Sequence, residues 1–278
     1  MRKIKIVSDS SSDILALEGG EFASAPLKII TAEEEFVDDA TLDVDTMVNF
    51  FDKYKGRSKT SCPNATDWLH AFGDADDVIC VTITSALSGS YNAACVAKQI
   101  YESEHEGRRV FVLDTLSAGP EIGLVLEKLA EYVRGDMSYE DICENIQQYL
   151  KKTGLVFMLK SMKNLANNGR VSPLIAKIAG FVGICVVGKA SDQGTLEAGR
   201  KCHGEVRALE TLVRNLEQLG LETGKVKVSH CLNESGALRL KEMLQARHEH
   251  MEIEIQKCRG LCSFYAEKGG ILVGFEKM

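Results

Sequence analysis

The sequence lacks several things that would have set its function early. No apolar run in the 278 residues approaches the roughly 20 that a membrane-spanning helix needs. The opening, Met1 to Val7, alternates charged and apolar residues over too short a span for an export signal, and it reads as a strand. Aromatic residues are only 6%, so any large cavity must be lined mainly by Leu, Ile, Val, Met and Ala. Acidic residues (40) outnumber basic ones (33), and the net charge of -7 disfavours a general binder of phosphate backbones, although a local basic patch could survive within it. There is no internal repeat and no low-complexity linker.

Generic catalytic signatures are missing too. There is no G-x-G-x-x-G. Gly220 to Lys225 falls one residue short of a P-loop and continues into Val226. Ser88 follows Ala86-Leu87 and directly precedes Gly89, so it forms no nucleophile elbow. Cys258 and Cys262 have no second pair, and His248-Glu249-His250 would turn its histidines apart. No metal, cofactor or catalytic residue is expected.

What is present is an ordinary globular balance, 45% hydrophobic and 26% charged. The length leaves room for two domains or one large α/β unit. Nine cysteines are scattered, most of them in apolar runs (Cys80, Cys95, Cys143, Cys185, Cys231), which fits reduced, buried thiols in a cytoplasmic protein. Short apolar strands at Ile4–Val7, Val78–Thr84, Val110–Leu113 and Leu155–Leu159 alternate with amphipathic helices at Val44–Tyr54, Thr66–Phe72, Ser90–Glu104, Glu121–Arg134 and Tyr139–Lys151. This order implies a largely parallel sheet flanked by helices. After about residue 160 the pattern changes. Helices at Ser161–Asn167 and Pro173–Ala179 precede a strand at Val182–Val187, a turn at Ser191–Gly194 and a strand at Thr195–Ala198. A helix at Glu205–Leu219, a strand at Lys225–His230, a helix at Gly236–Ala246 and strands at Glu252–Lys257 and Ile271–Phe275 follow. The expectation is an α/β domain over residues 1–158 and an α+β domain over residues 159–278, its sheet covered by helices.

Ligands of parallel sheets bind beyond the carboxyl ends of the strands, and polar clusters fall there. Ser8 to Asp13 suits a strand-end turn and helix cap as well as it suits a binding site. Thr60-Ser61-Cys62-Pro63-Asn64 reads as a loop entering a helix, with Asp67 in the first turn. Cys62 has no sequence neighbour to activate it except His70. Thr82 to Tyr91 joins a buried strand to a long helix, where hydroxyls, free backbone N–H groups and the helix dipole favour an anion. Gly89 would let the backbone approach a ligand closely. These residues favour binding over chemistry.

Taken in order, the clusters resemble the DegV family of bacterial fatty-acid-binding proteins. The family's S/T-D-S/T-x-S-D opening matches Ser8–Asp13, its Thr-Ser-x-Pro matches Thr60–Pro63, its S-x-L-S-G-T/S-Y matches Ser85–Tyr91, and its N/K-G-G/x-R-I/V-S segment matches Asn168–Ser172. Val110–Ala118 and Leu27–Ile29 fit as well, so the likeness runs from Ile4 to Phe275. It implies one long-chain fatty acid buried between two domains, its carboxylate held by Thr60 and Ser88. Ser61, Ser85 and Gly89 stand nearby as further groups able to hold it. It also implies delivery of the acid to a separate ATP-dependent fatty acid kinase, which makes the acyl phosphate for lipid synthesis. Arg170 would belong to the surface tied to that handover, or simply cap the preceding helix. The acyl chain would lie along apolar stretches such as Ile175–Ile184.

Two positions depart from the family pattern. Where many members carry a Thr-His-Thr-Gly-Pro-Gly stretch near the C-terminus, this chain has Phe264 to Gly270, which puts Tyr265 in the place of the His. His203 replaces a usual Arg. A phenol donates a hydrogen bond but carries no positive charge. The alternatives to a carrier are a small phosphoryl-transfer or hydrolytic enzyme built on the Ser/Asp clusters around Asp9 and Asp114, and a scaffold with an empty cleft.

Overall fold

The computed structural model describes residues 2–172 and 183–277. The expected helix at Pro173–Ala179, and most of the apolar stretch Ile175–Ile184, lie outside the described residues.

The first sheet is parallel throughout. Its strands are β1 (Ile4–Asp9), β2 (Glu21–Ala25), β6 (Asp77–Thr82) and β7 (Arg109–Asp114), in the order β2-β1-β6-β7. All six residues of β6 are buried, as expected of a central parallel strand covered on both faces. Helices α2 (Ala65–Phe72) and α3 (Ser90–Glu104) close one face around Trp68, Phe72 and Tyr101. On the other face, α4 (Pro120–Arg134) and α5 (Tyr139–Leu150) pack with Ile6, Ile79 and Val81.

The second sheet has six strands in the order β10-β9-β8-β13-β11-β12. They are β8 (Thr153–Leu159), β9 (Ile184–Ala190), β10 (Leu196–His203), β11 (Lys225–His230), β12 (Glu252–Lys257) and β13 (Ile271–Glu276). All neighbours are antiparallel except β11 and β12. Helix α6 (Lys163–Asn167) follows β8, while α7 (Glu205–Gln218) and α8 (Glu234–Gln245) cover one face with Leu209, Leu212 and Leu240. The strand at Leu155–Leu159, which the alternation groups with the parallel set, therefore changes sheets. Its partners β9 and β13 arrive later in the chain, so nothing local marks the change.

Helix α4 joins the two halves. It packs on β13, β11 and β8 of the large sheet and on β1 and β6 of the parallel one. Pro120 through Leu126 are all buried, the pattern of a helix with no solvent face. Pro120 opens the helix, where its missing N–H costs nothing. Buried Lys227 of β11 ties the assembly, reaching Glu127 of α4 at 2.5 Å and Glu254 of β12.

A third, three-stranded sheet went unforeseen: β3 (Lys28–Ile30) between β4 (Glu35–Val37) and β5 (Lys59–Ser61), with α1 (Val44–Lys53) beside it. It brings Thr60 on β5 opposite Ile29 on β3.

Candidate head-group site and apolar cavity

The end of β1 is organised by one carboxylate. Asp9 is fully buried and accepts from the Ile83 N–H at 3.0 Å, the Ser90 hydroxyl at 2.6 Å, the Ser11 N–H at 3.2 Å and the Ser11 hydroxyl. Burial pushes its carboxyl up, and these donors pull it back. Ile83 and Ser90 flank the loop that carries Ser88 and Gly89, so Asp9 pins that loop at both ends. Asp114 at the end of β7 does the same work from outside. Its Oδ1 accepts the N–H groups of Ser85 and Leu116, each at 3.1 Å.

These loops roof a cavity of about 320 Å³, floored by the face of the large sheet. Leu155, Phe157 and Leu159 of β8 lie two residues apart and so share one face of the strand. Leu272 of β13 and Ala190 and Leu196 of the β9–β10 hairpin extend that lining, and Leu27, Ile83, Leu87 and Leu116 face it from the other half. The hairpin tip closes on the roof, with the Thr84 hydroxyl donating to the Gly194 carbonyl at 2.8 Å. Gly194 has φ +76°, and a Cβ there would collide with the Thr84 hydroxyl and stand 3.2 Å from Leu116 Cα. Leu116 itself sits at φ +52°, a left-handed conformation uncommon for a bulky side chain, at an exposed point of the rim.

Among the described residues, the polar groups of the cavity are Thr60, Ser61, Thr84, Ser88, Ser117, Arg170 and Tyr265 together with the cysteines Cys62 and Cys262. Several of them meet across long stretches of chain. The Thr60 hydroxyl lies 2.7 Å from the Tyr265 hydroxyl, 205 residues away in sequence. Tyr265 stands on α9 (Gly260–Ala266), and burial pushes its phenol up, so it is neutral and able to donate. Arg170 leans its guanidinium over the Tyr265 ring, 6.0 Å from the centroid, and donates to the Leu87 carbonyl at 3.2 Å. Gly89 opens α3 without a side chain to cap it, and the Ser90 amide donates to the Ser88 hydroxyl at 3.3 Å. A Cβ at position 89 would stand 3.3 Å from Cys62 Sγ, so the β5–α2 loop and the start of α3 are adjacent. Ser61 and Gly89 are exposed, which sets this polar end near the surface.

Thr60, Ser61, Ser88, Gly89, Arg170 and Tyr265 thus gather at one cavity. Ser85 does not line it. The Asp114 carboxylate fixes the Ser85 amide and leaves the residue exposed, while its neighbour Thr84 turns inward. Sequence reasoning missed Thr84, though it lies in the same hydroxyl run, and it missed Leu116, which carries no sequence signal. Arg170, expected on a partner surface or as a cap of the preceding helix, donates to the carbonyl of Asn168 at the end of α6, as a cap would, and also brings its guanidinium over the Tyr265 ring. His203 is exposed on β10 and is not among the lining residues. All nine cysteines are free, and six are buried: Cys80, Cys185, Cys202, Cys231, Cys258 and Cys262. Cys62, Cys95 and Cys143 are half-buried, so the expectation of buried thiols fails for Cys95 and Cys143.

A parallel sheet facing a mixed sheet across a largely apolar cavity, with hydroxyls at one end, defines a class of ligand-holding α/β protein. The chain belongs to the DegV family, whose model, described as "Uncharacterised protein, DegV family", matches residues 3–277. A DegV domain-containing protein of Streptococcus pneumoniae is 40% identical over 276 residues, 98% of each chain. A DegV family protein from Eubacterium eligens, solved loaded with heptadecanoic acid, superposes with a TM-score of 0.97 at 42% identity, covering 99% of this chain and all of the other. The Streptococcus pneumoniae Fatty Acid Kinase (Fak) B3 protein, loaded with linoleic acid, gives 0.96 at 38% identity, with 99% and 100% covered. No helix among the described residues is long and apolar enough to cross a membrane.

Proposed function

We propose that this protein binds one long-chain fatty acid in the cavity between its sheets and presents the carboxylate end to a fatty acid kinase, itself doing no chemistry on the acid. The observation that carries the reading is the polarity of the cavity: an aliphatic floor and wall with hydroxyls, the start of α3 and Arg170 gathered at one end near the surface. A buried carboxylate without donors would pick up a proton. Thr60, Ser88 and the Tyr265 phenol supply them, and Arg170 is the one cationic side chain among the described lining residues. Each buried CH₂ contributes roughly 0.8 kcal/mol, so an aliphatic lining supplies ample affinity for a long tail. The acids carried by the two solved relatives support the ligand class, and the kinase name of one supports the partner. On this reading the parallel-sheet half carries Thr60 and Ser88 of the polar clamp, and Arg170 and Tyr265 join it from the second half. The expected boundary at 158 then moves ahead of β8, whose Leu155 and Phe157 cover the acyl chain with the rest of the large sheet.

The enzyme alternative finds less support. Asp9 is saturated by donors inside the protein, Asp114 holds two loop amides, and neither lines the cavity. The test is the protein purified from a bacterial host, extracted with solvent and examined by mass spectrometry. A fatty acid should be recovered from the wild type and largely lost from the Thr60→Ala, Ser88→Ala double variant. Wild-type recovery from the double variant would remove these residues from the head-group site.

A further inference from the structure

Among the described residues, the floor of the cavity contains one aromatic ring, Phe157. Phe157 stands at the centre of β8 between Leu155 and Leu159, with Leu272 of β13 as its partner on one side and Gly188 of β9 on the other. The ring leans off its own strand and lies on Gly188. A Cβ built at position 188 would sit 2.5 Å from Phe157 Cζ and 2.7 Å from Cε2, and would also meet the Glu197 carbonyl. Glycine here is a requirement of the ring's position, in a strand pair that shifts register between Ala198 and Arg200 just beyond it.

On the same face, β9 next offers only the methyl of Ala190. Two successive small positions make a trough along the strand. The Phe157 ring fills the trough at 188 and leaves it open at 190. Because the ring is held by packing, with no hydrogen bond or covalent link, its size decides how much of the trough a ligand tail can use.

We propose that Phe157, seated on Gly188, is the residue that limits the acyl tail: it stops the trough along β9 and so selects chain length and bend. This rests on the fatty-acid reading above. Replacing the ring with a smaller side chain extends the trough toward Gly188, and each methylene newly housed raises affinity about fourfold.

The experiment measures binding of saturated fatty acids of increasing length, and of their cis-monounsaturated counterparts, to delipidated wild type and Phe157→Leu. The expected result is a preference moved to longer or more bent chains, with acids that already fit binding no more tightly than before. An unchanged ranking in Phe157→Leu, beside a wild type that binds fatty acids, overturns the role of Phe157 and leaves the function standing. A wild type that binds no fatty acid overturns both. Should Phe157→Leu fail to fold, Phe157→Met, which keeps most of the volume on an unbranched chain, must show the same direction of change at smaller size, and the same ranking as wild type would overturn the proposal.

Discussion

Replacing Asp13 with Asn should stabilise the protein at alkaline pH and lose that advantage in acid. Asp13 lies at the joint between the halves, buried, at φ +61°. Its Oδ1 accepts the Arg259 N–H at 2.7 Å, and its Oδ2 has no hydrogen-bond partner among the described residues. Burial, with the Asp38 carboxylate nearby, raises its carboxyl from 3.8 to about 7 against the pull of the Arg259 N–H. Between these values the folded protein holds a proton that the unfolded chain has released, so stability falls as pH rises from about 4 to about 7 and is flat above. The whole interval is worth about 4 kcal/mol at about 1.4 kcal/mol per pH unit. An amide is neutral throughout. If its new N–H₂ is left partly unpaired, the cost of about 1–3 kcal/mol is the same at every pH and cancels in a comparison of two. Urea unfolding of wild type and Asp13→Asn at about pH 5 and about pH 8 should therefore show the variant's relative stability improving by about 3 kcal/mol between them. Asp9, Glu121 and Glu267 are also raised, but they titrate in both proteins and drop out of the difference, whereas Asp38, beside Asp13, is relieved of a like charge in the variant. A relative stability that does not change with pH would refute the reasoning.

Other consequences can be tested alongside. Tyr265→Phe removes the phenol beside Thr60, and fatty acid retention, measured by extraction, should weaken by about 1 kcal/mol, or roughly fivefold. Asp9→Ala leaves the Ile83 and Ser11 amides and two hydroxyls without their acceptor. Thermal unfolding should show a loss of about 1–3 kcal/mol, with head-group binding weakened beyond it because the Ser88 loop is released. Gly194→Ala should hold the hairpin tip off the roof and speed exchange of a fluorescent fatty acid, since no Cβ fits between Thr84 and Leu116; wild-type exchange would mean that the tip does not gate the cavity.

The regular elements were legible where periodicity was long or burial complete. The strands β1, β6 and β7 announce themselves as apolar runs ending in hydroxyls and carboxylates, and α4 as an amphipathic helix, although its first turns prove buried all round. The strands β2 through β5 did not. They run three to five residues, most of them half-buried, so they carry no continuous apolar stretch. Helix α9 is seven residues, too short for a helical period to show, yet six of them are buried and it carries Tyr265. The hydroxyl clusters were visible individually. Their meeting was not, because Thr60 reaches Tyr265 only through the small third sheet that no local pattern marks. The choice between Thr84 and Ser85 turned on one carboxylate across the sheet, Asp114, whose hydrogen bond to a backbone amide leaves no trace in sequence spacing.

Helix α4 has a consequence for how this chain folds and how it could be divided. Its surface is shared between two sheets, so separation between α5 and β8 would strip it on one side and bare the faces of β13, β11 and β8 that it covers. An exposed apolar patch of that kind invites aggregation. The two halves are thus expected to melt in a single cooperative transition, and fragments expressed apart should recover solubility only when made together. A fold with one helix at its hinge has no dispensable half, and rearrangements that admit or release a ligand must come from its loops and hairpin tips while the central helix stays in place.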